Sequence, residues 1–287
     1  MSGKRILITG ADGRLGSALT KLLEGGGDTV LPSDRDTLDV GDWTAVRHSI
    51  TSAHPDIVIN AAAYTDVDGC ARDPELAYRI NGVGAGNLAA AAYEIHAMMI
   101  QVSTNEVFDG KAAQPYREND RPTPINPYGA SKWAGEQAVM RANPNHQIVR
   151  TAWLFAHGGR NFIQAILGAA TAGKPLRVVT DEIANPTYTG DLAEALLALA
   201  STGRPGTYHL VNAGAVSRYD FARYALDRAG HKSTPVQPIT SADWPRASTP
   251  PLNCGLHNTA AAALGVTLRP WQEAVDAFLE REGLLVD

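Results

Sequence analysis

ITGADGRLG, residues 8–16, sets Gly10, Gly13 and Gly16 directly behind a short apolar run and in front of a helical one. Glycines at such a junction let the backbone turn tightly and approach a pyrophosphate, which then rests on the N-terminus of the following helix. Three spaced glycines alone are a weak signal; a strand before them and a helix after make the stretch a nucleotide-binding loop that also holds Arg14 and Leu15.

Working outward, short apolar runs at 5–9, 29–31, 56–60, 97–102 and 147–150 read as strands buried on both faces. Helical patterns fall between them at about 14–24, 42–53, 74–93 and 127–142. Strands alternating with helices imply right-handed βαβ units, and so an α/β fold with a doubly wound parallel sheet. After residue 150 the rhythm loosens: helical pieces at about 161–172, 188–201, 217–229 and 270–281 are separated by loops rich in Pro and Gly. The stretch 240–254 carries Pro245, Pro250 and Pro251 behind Pro238, and reads as a functional loop or lid. We expect residues 1–152 to form the dinucleotide-binding domain, with 186–212 returning to it. Residues 153–185 and 213–287 are expected to form a smaller C-terminal substrate lobe.

Composition narrows the function. The 287 residues are 44% hydrophobic and 19% charged, with a net charge of -5 and no basic stripe of the kind nucleic acid selects. No apolar run reaches the roughly 20 residues a membrane span needs, and the first residues are too polar for a signal peptide. Two cysteines, Cys70 and Cys254, lack any metal or disulfide spacing. The reading is a cytoplasmic enzyme, monomer or homodimer, with no nucleic-acid or membrane partner and no metal.

Ligands of doubly wound sheets bind beyond the carboxyl ends of the strands, where Thr9-Gly10, Asn60-Ala61 and Ser103-Thr104 fall. The second strand should end beside Ser33-Asp34-Arg35. A carboxylate there takes a ribose 2'-hydroxyl, whereas cations take a 2'-phosphate. Arg14 and Arg35 favour NADPH; Asp34 keeps NADH open.

Tyr128 and Lys132, four apart in NPYGASKWAGE, lie on one helical face, with Pro127 suited to the first helical position and Asn126 to the cap. A nearby ammonium favours a phenolate and should lower the Tyr128 pKa, making it a usable general acid towards a carbonyl oxygen. Thr104 can donate to the same oxygen, and Lys132 can also hold the nicotinamide ribose.

The glycine spacing resembles that of short-chain dehydrogenase/reductases. The order TGADGRLG, NAAAYTDVD, VSTNEVFDG, NPYGASKWAGE, RTAWLF, NPTYTGDLAEAL resembles, more specifically, the dTDP-4-dehydrorhamnose reductase family of the extended (Rossmann) branch, from residue 5 to about 280. The resemblance implies reduction of C4 of a dTDP-4-keto-6-deoxyhexose by Thr104, Tyr128 and Lys132. It implies cofactor contacts at Asp39 and Val40, at Ala61, Ala62, Ala63 and Tyr64, and at Ser103. It implies substrate contacts at Val67, Asn105, Phe108, Trp153, Asn161, Phe162 and Asn185, although Trp153 and Phe162 could equally be core aromatics of the small lobe.

Three departures concern the substrate. The family's S-T-D-Y-V-F reads here Ser103-Thr104-Asn105-Glu106-Val107-Phe108, and Glu106 is expected to hydrogen-bond a sugar hydroxyl. Nucleotide-sugar 4,6-dehydratases read T-D-E; Asn105 lacks the titrating proton that their Asp supplies. The family's R-P-x-N-S becomes Pro250-Pro251-Leu252-Asn253-Cys254, with Arg246 a candidate stand-in for the lost arginine. D-Q-x-G-x-P-T becomes 181–187, with Glu182 for Gln. Alternatives are an epimerase or dehydratase with retained NAD, or a non-catalytic regulatory subunit.

Overall fold

A computed structural model describes residues 3–159 and 161–286. Its centre is a six-stranded, all-parallel sheet. The first five strands are β1 (Arg5–Thr9), β2 (Thr29–Ser33), β3 (Ile57–Asn60), β4 (Met98–Thr104) and β5 (His146–Thr151), and the sixth is Gly206–His209. Across the sheet the order is Gly206–His209, β5, β4, β3, β1, β2. Parallel strands need crossovers, and α1 (Arg14–Leu23) and α2 (Trp43–Ala53) supply the first two.

Helices cover both faces. On one, Leu15, Leu19 and Leu23 of α1 pack with Leu192, Leu196 and Leu199 of helix Thr189–Ser201. On the other, Val46 and Ile50 of α2 pack with Leu88 and Ala92. The stretch 154–188 and much of the C-terminal third form a second, smaller body with three two-stranded sheets. Its own core is aromatic: Phe155 lies edge-on to Phe278 with ring centroids 5.5 Å apart.

Four expectations need correction. β2 is the sheet's edge strand and has no buried residue, because no strand follows it. The helix expected over 74–93 is instead α4 (Pro74–Ala77) and α5 (Ala85–Glu94), separated by a π-helical turn, Tyr78–Gly84; such turns widen a helix locally and recur at functional sites. A short helix, α3 (Val67–Arg72), was not anticipated from the sequence; Asp66 caps it. Residues 259–268, expected in the small lobe, instead send Ala261, Val266 and Leu268 into the α1 side of the large core, where they cover apolar surface beside Leu196.

The register sets the site. Thr9 stands opposite Asn60, and Asn60 opposite Gln101. Thr9 Oγ1 donates to Asn60 Oδ1 (2.7 Å) and Asn60 Nδ2 to Gln101 Oε1 (2.8 Å). This buried chain of side chains satisfies polar groups that would otherwise be costly in the core, and it ties the ends of β1 and β3 to the middle of β4.

Candidate active site

A cavity of about 390 Å³ opens at the ends of β1, β2 and β3. Thr9, Gly10, Gly13, Asp34, Arg35, Asp39, Val40, Ala61, Ala62, Ala63 and Tyr64 line it. Gly10 has φ +68, and a Cβ there would lie 2.7 Å from the Ala62 amide nitrogen. At Gly16 a Cβ would meet the Gly10 carbonyl at 2.1 Å. A side chain at either position would collide with backbone, so glycine keeps the loop tight, as close approach to a dinucleotide's pyrophosphate requires. Leu15 belongs to the core, and Arg14 is exposed at the start of α1.

Asp34 Oδ1 accepts from Asp36 N (3.0 Å), Thr37 N (2.9 Å) and Thr37 Oγ1 (2.9 Å). The Thr37 bonds hold its carboxyl below the ordinary aspartate value. Asp39 Oδ2 accepts from Arg79 Nη1 (2.8 Å), and Arg79 also lines the cavity; the sequence reading missed it.

The catalytic candidates converge at the end of β4. Asn126 caps α6 (Pro127–Ala142) by accepting from Gly129 N (2.8 Å). A Cβ at Gly129 would sit 2.1 Å from the Glu106 carbonyl, so only glycine lets the first turn of α6 press against the β4 exit. That contact brings the half-buried Tyr128 phenol within hydrogen-bonding reach of the Thr104 side chain. One turn on, buried Lys132 donates from Nζ to the Val102 carbonyl (2.6 Å), which Gln101 Nε2 also reaches (2.8 Å). Asn81, in the π-helical turn, accepts from Tyr64 N (2.8 Å) and donates to Ser131 Oγ (3.0 Å), tying the cofactor-side loop to α6.

The expected lowering of the Tyr128 pKa does not hold. Burial dominates and the Glu106 charge adds to it, while the Thr104 hydrogen bond only partly offsets them, so the phenol lies above its ordinary value. The Lys132 ammonium is committed to a carbonyl, and burial pushes it down to about 8. Burial likewise raises Glu106, against the hydrogen bond from Asn126 Nδ2 (2.8 Å).

On the substrate side the residues divide. Val67 is half-buried at the start of α3. Trp153, in the left-handed region at φ +43, carries the Arg218 guanidinium 3.7 Å above its ring centroid. Asn105 donates to the Cys254 carbonyl (3.2 Å). Arg246 reaches Asp68 (3.3 Å) and Glu182 (3.8 Å), and Arg218 reaches Glu182 at 3.6 Å. A second cavity of about 480 Å³ lies under the 240–254 loop, with Lys111, Ile125, Trp244 and Arg246 among its walls.

Five candidates turn out to be engaged elsewhere. Phe108 is fully buried, stacked on Tyr116 at 4.2 Å. Asn161 caps helix Phe162–Thr171, and Phe162 stacks on Phe221 at 5.2 Å. Asn185 spends its amide on Asn212 O, Gly214 O and Leu256 N. The Ser103 hydroxyl donates to Glu136 (2.5 Å). Arg218 was overlooked, though a cation at the first position of a helix opposes the macrodipole and hints at another partner.

Among the described residues, no cluster of His, Cys, Asp or Glu could hold a metal ion, and no helix is long and apolar enough to cross a membrane. A family model described as RmlD substrate binding domain matches residues 4–283. A dTDP-4-dehydrorhamnose reductase of Mycolicibacterium smegmatis is 41% identical, over 99% of this chain and 88% of its own length. The spore coat polysaccharide biosynthesis protein SpsK of Bacillus subtilis is 38% identical, over 99% of both. The dTDP-4-dehydrorhamnose reductase of Bacillus anthracis, solved in complex with NADP, superposes with a TM-score of 0.94 at 34% identity, over 97% of this chain and 99% of its own. The glycine cradle and the β4 exit with the first turn of α6 lie at the same carboxyl edge of one parallel sheet, and the chain belongs to the RmlD substrate binding domain family, that of the dTDP-4-dehydrorhamnose reductases.

Proposed function

We propose that this chain reduces the C4 ketone of a dTDP-4-keto-6-deoxyhexose with NADPH, in deoxysugar biosynthesis. The observation that carries the reading is the pairing of Thr104 and Tyr128 at the end of β4, one helical turn from Lys132 and at the same carboxyl edge of the sheet as the glycine cradle. When bound, reduced nicotinamide supplies the hydride. Thr104 and Tyr128 hold the ketone oxygen, and Tyr128 gives it the proton. A phenol held above its ordinary pKa keeps that proton until charge develops on the oxygen. Lys132, one turn on from Tyr128 and anchored by its bond to the Val102 carbonyl, holds the nicotinamide ribose.

NADPH is favoured over NADH because Arg35 lines the cavity while one Asp34 oxygen is committed to its own loop. The relatives' names supply the sugar class. Asn105, an amide bonded to the Cys254 carbonyl, speaks against a dehydratase that needs a titrating acid there. We place the reaction in the cytoplasm, and every group named lies within one chain.

The test is nicotinamide absorbance with NADPH and dTDP-4-keto-6-deoxyglucose, with and without a 3,5-epimerase. Oxidation in either arm supports the reading, and epimerase dependence names the accepted sugar series. Failure in both arms, with NADPH still bound, refutes it.

A further inference from the structure

Hydride and proton delivery leave Glu106 without a task, yet it is built into the centre. Its backbone carbonyl presses on Gly129, and its Oε2 accepts from Asn126, the residue that caps the helix carrying Tyr128. The carboxylate, Thr104 and the first turn of α6 therefore form one rigid unit. Glu106 is not a structural ion-pair partner. The arginines nearby, Arg218 and Arg246, pair with Glu182 and Asp68 instead. Its one side-chain hydrogen bond among the described residues comes from a neutral amide, and Oε1 accepts none. The side chain is half-buried, two residues on from Thr104. Its charge is felt at the Tyr128 phenol.

A ketone whose oxygen is held by two hydroxyl donors has acidified C–H bonds on both neighbouring carbons. A carboxylate fixed beside those donors, with a vacant oxygen and, among the described residues, no cation within ion-pair distance, although the charges of Arg246 and Arg218 reach it, is the base such a bond requires. We propose that Glu106 is a general base for enolisation, so that the site exchanges one hydrogen α to the ketone of its substrate with solvent, in addition to reducing it. The inference rests on the ketone-reducing reading above.

In the step, the α-hydrogen leaves as a proton to Glu106 Oε1. The C–H electron pair becomes the carbon–carbon double bond of the enol, and the carbonyl π pair moves to oxygen, which receives the proton of Tyr128. The reverse step returns a proton from Glu106, after exchange with water, to the same face of the carbon. Nothing is oxidised or reduced, no cofactor is consumed, and a single base predicts exchange with retained configuration. Burial, which holds Glu106 above the ordinary carboxylate range, strengthens it as a base near neutral pH.

The experiment incubates the protein in D2O with dTDP-4-keto-6-deoxyglucose and NADP+. Loss of the C3 and C5 proton signals is followed by NMR and deuterium gain by mass spectrometry. NADPH oxidation is measured on the same preparations. We expect the parent protein to exchange one of the two positions about 10²-fold faster than buffer. Glu106→Gln, verified by melting curve and NADPH binding, should fall to within a few-fold of buffer, with Glu106→Asp between. A parent that oxidises NADPH but exchanges no faster than buffer overturns the inference alone. So does a Glu106→Gln variant that exchanges like the parent. A parent that neither reduces nor exchanges overturns the reductase reading with it.

Discussion

Removing Arg150 should unbalance the helix that carries Tyr128 and Lys132, and its cost can be worked from the contacts around Glu136. Glu136 is wholly buried, and Arg150 is 3% exposed. The carboxylate accepts from Arg150 Nη2 (2.7 Å), from Nε to both oxygens (3.0 and 3.2 Å) and from Ser103 Oγ (2.5 Å). Arg150→Met leaves it with Ser103 alone. The loss exceeds the worth of an exposed pair, because an uncompensated buried charge remains; breaking such a pair costs about 3–5 kcal/mol. Urea unfolding of parent and variant at pH 8 measures this. Glu136→Gln combined with Arg150→Met should recover over half the loss at pH 8, since an amide can still accept from Ser103 without carrying charge. A single-variant cost below about 1 kcal/mol at pH 8 would contradict this.

Lys132→Met should reveal the cost of keeping a buried ammonium. With a folded value of about 8 against an ordinary 10.5, the penalty is complete below pH 8 and is relieved as pH rises towards 10.5. The parent should therefore gain about 2–3 kcal/mol on the variant between pH 7 and 10 in matched denaturation curves; parallel curves would contradict the shift. Gly16→Ala places a Cβ 2.1 Å from the Gly10 carbonyl, and calorimetric titration should show NADPH affinity falling at least about 10-fold, with unchanged affinity disproving the cradle. Arg35→Ala should raise KM for NADPH and leave NADH little changed, so that the preference narrows by about 10-fold; an equal effect on both would remove Arg35 from phosphate recognition.

How much the sequence disclosed depended on the kind of signal. The βαβ rhythm and the glycine loop were legible because periodicity and backbone freedom are local properties. Tyr128 and Lys132 were legible because helical spacing alone puts them on one face. The Tyr128 pKa was not, because its direction depends on how deeply the phenol is enclosed and on where the ammonium points. The same holds for Asn185 and Asn161, whose amides are spent on loops far away in sequence or on a helix cap. Phe108 resembles a pocket aromatic in sequence, but its partner Tyr116 lies in an irregular loop that no pattern places. Arg218 and Glu182 meet only through the small lobe's antiparallel pair, in which Ser217 faces Ile183. Long-range pairings of that kind leave no local trace.

The most direct measurement of the central claim is NADPH oxidation by the parent and by Tyr128→Phe, with the keto-sugar present and the product's C4 configuration read by NMR. One NADPH should be consumed per C4 alcohol formed, and kcat for Tyr128→Phe should fall about 10²–10⁴-fold with NADPH affinity retained. A Phe variant that turns over like the parent would contradict it, because the proton would then come from elsewhere.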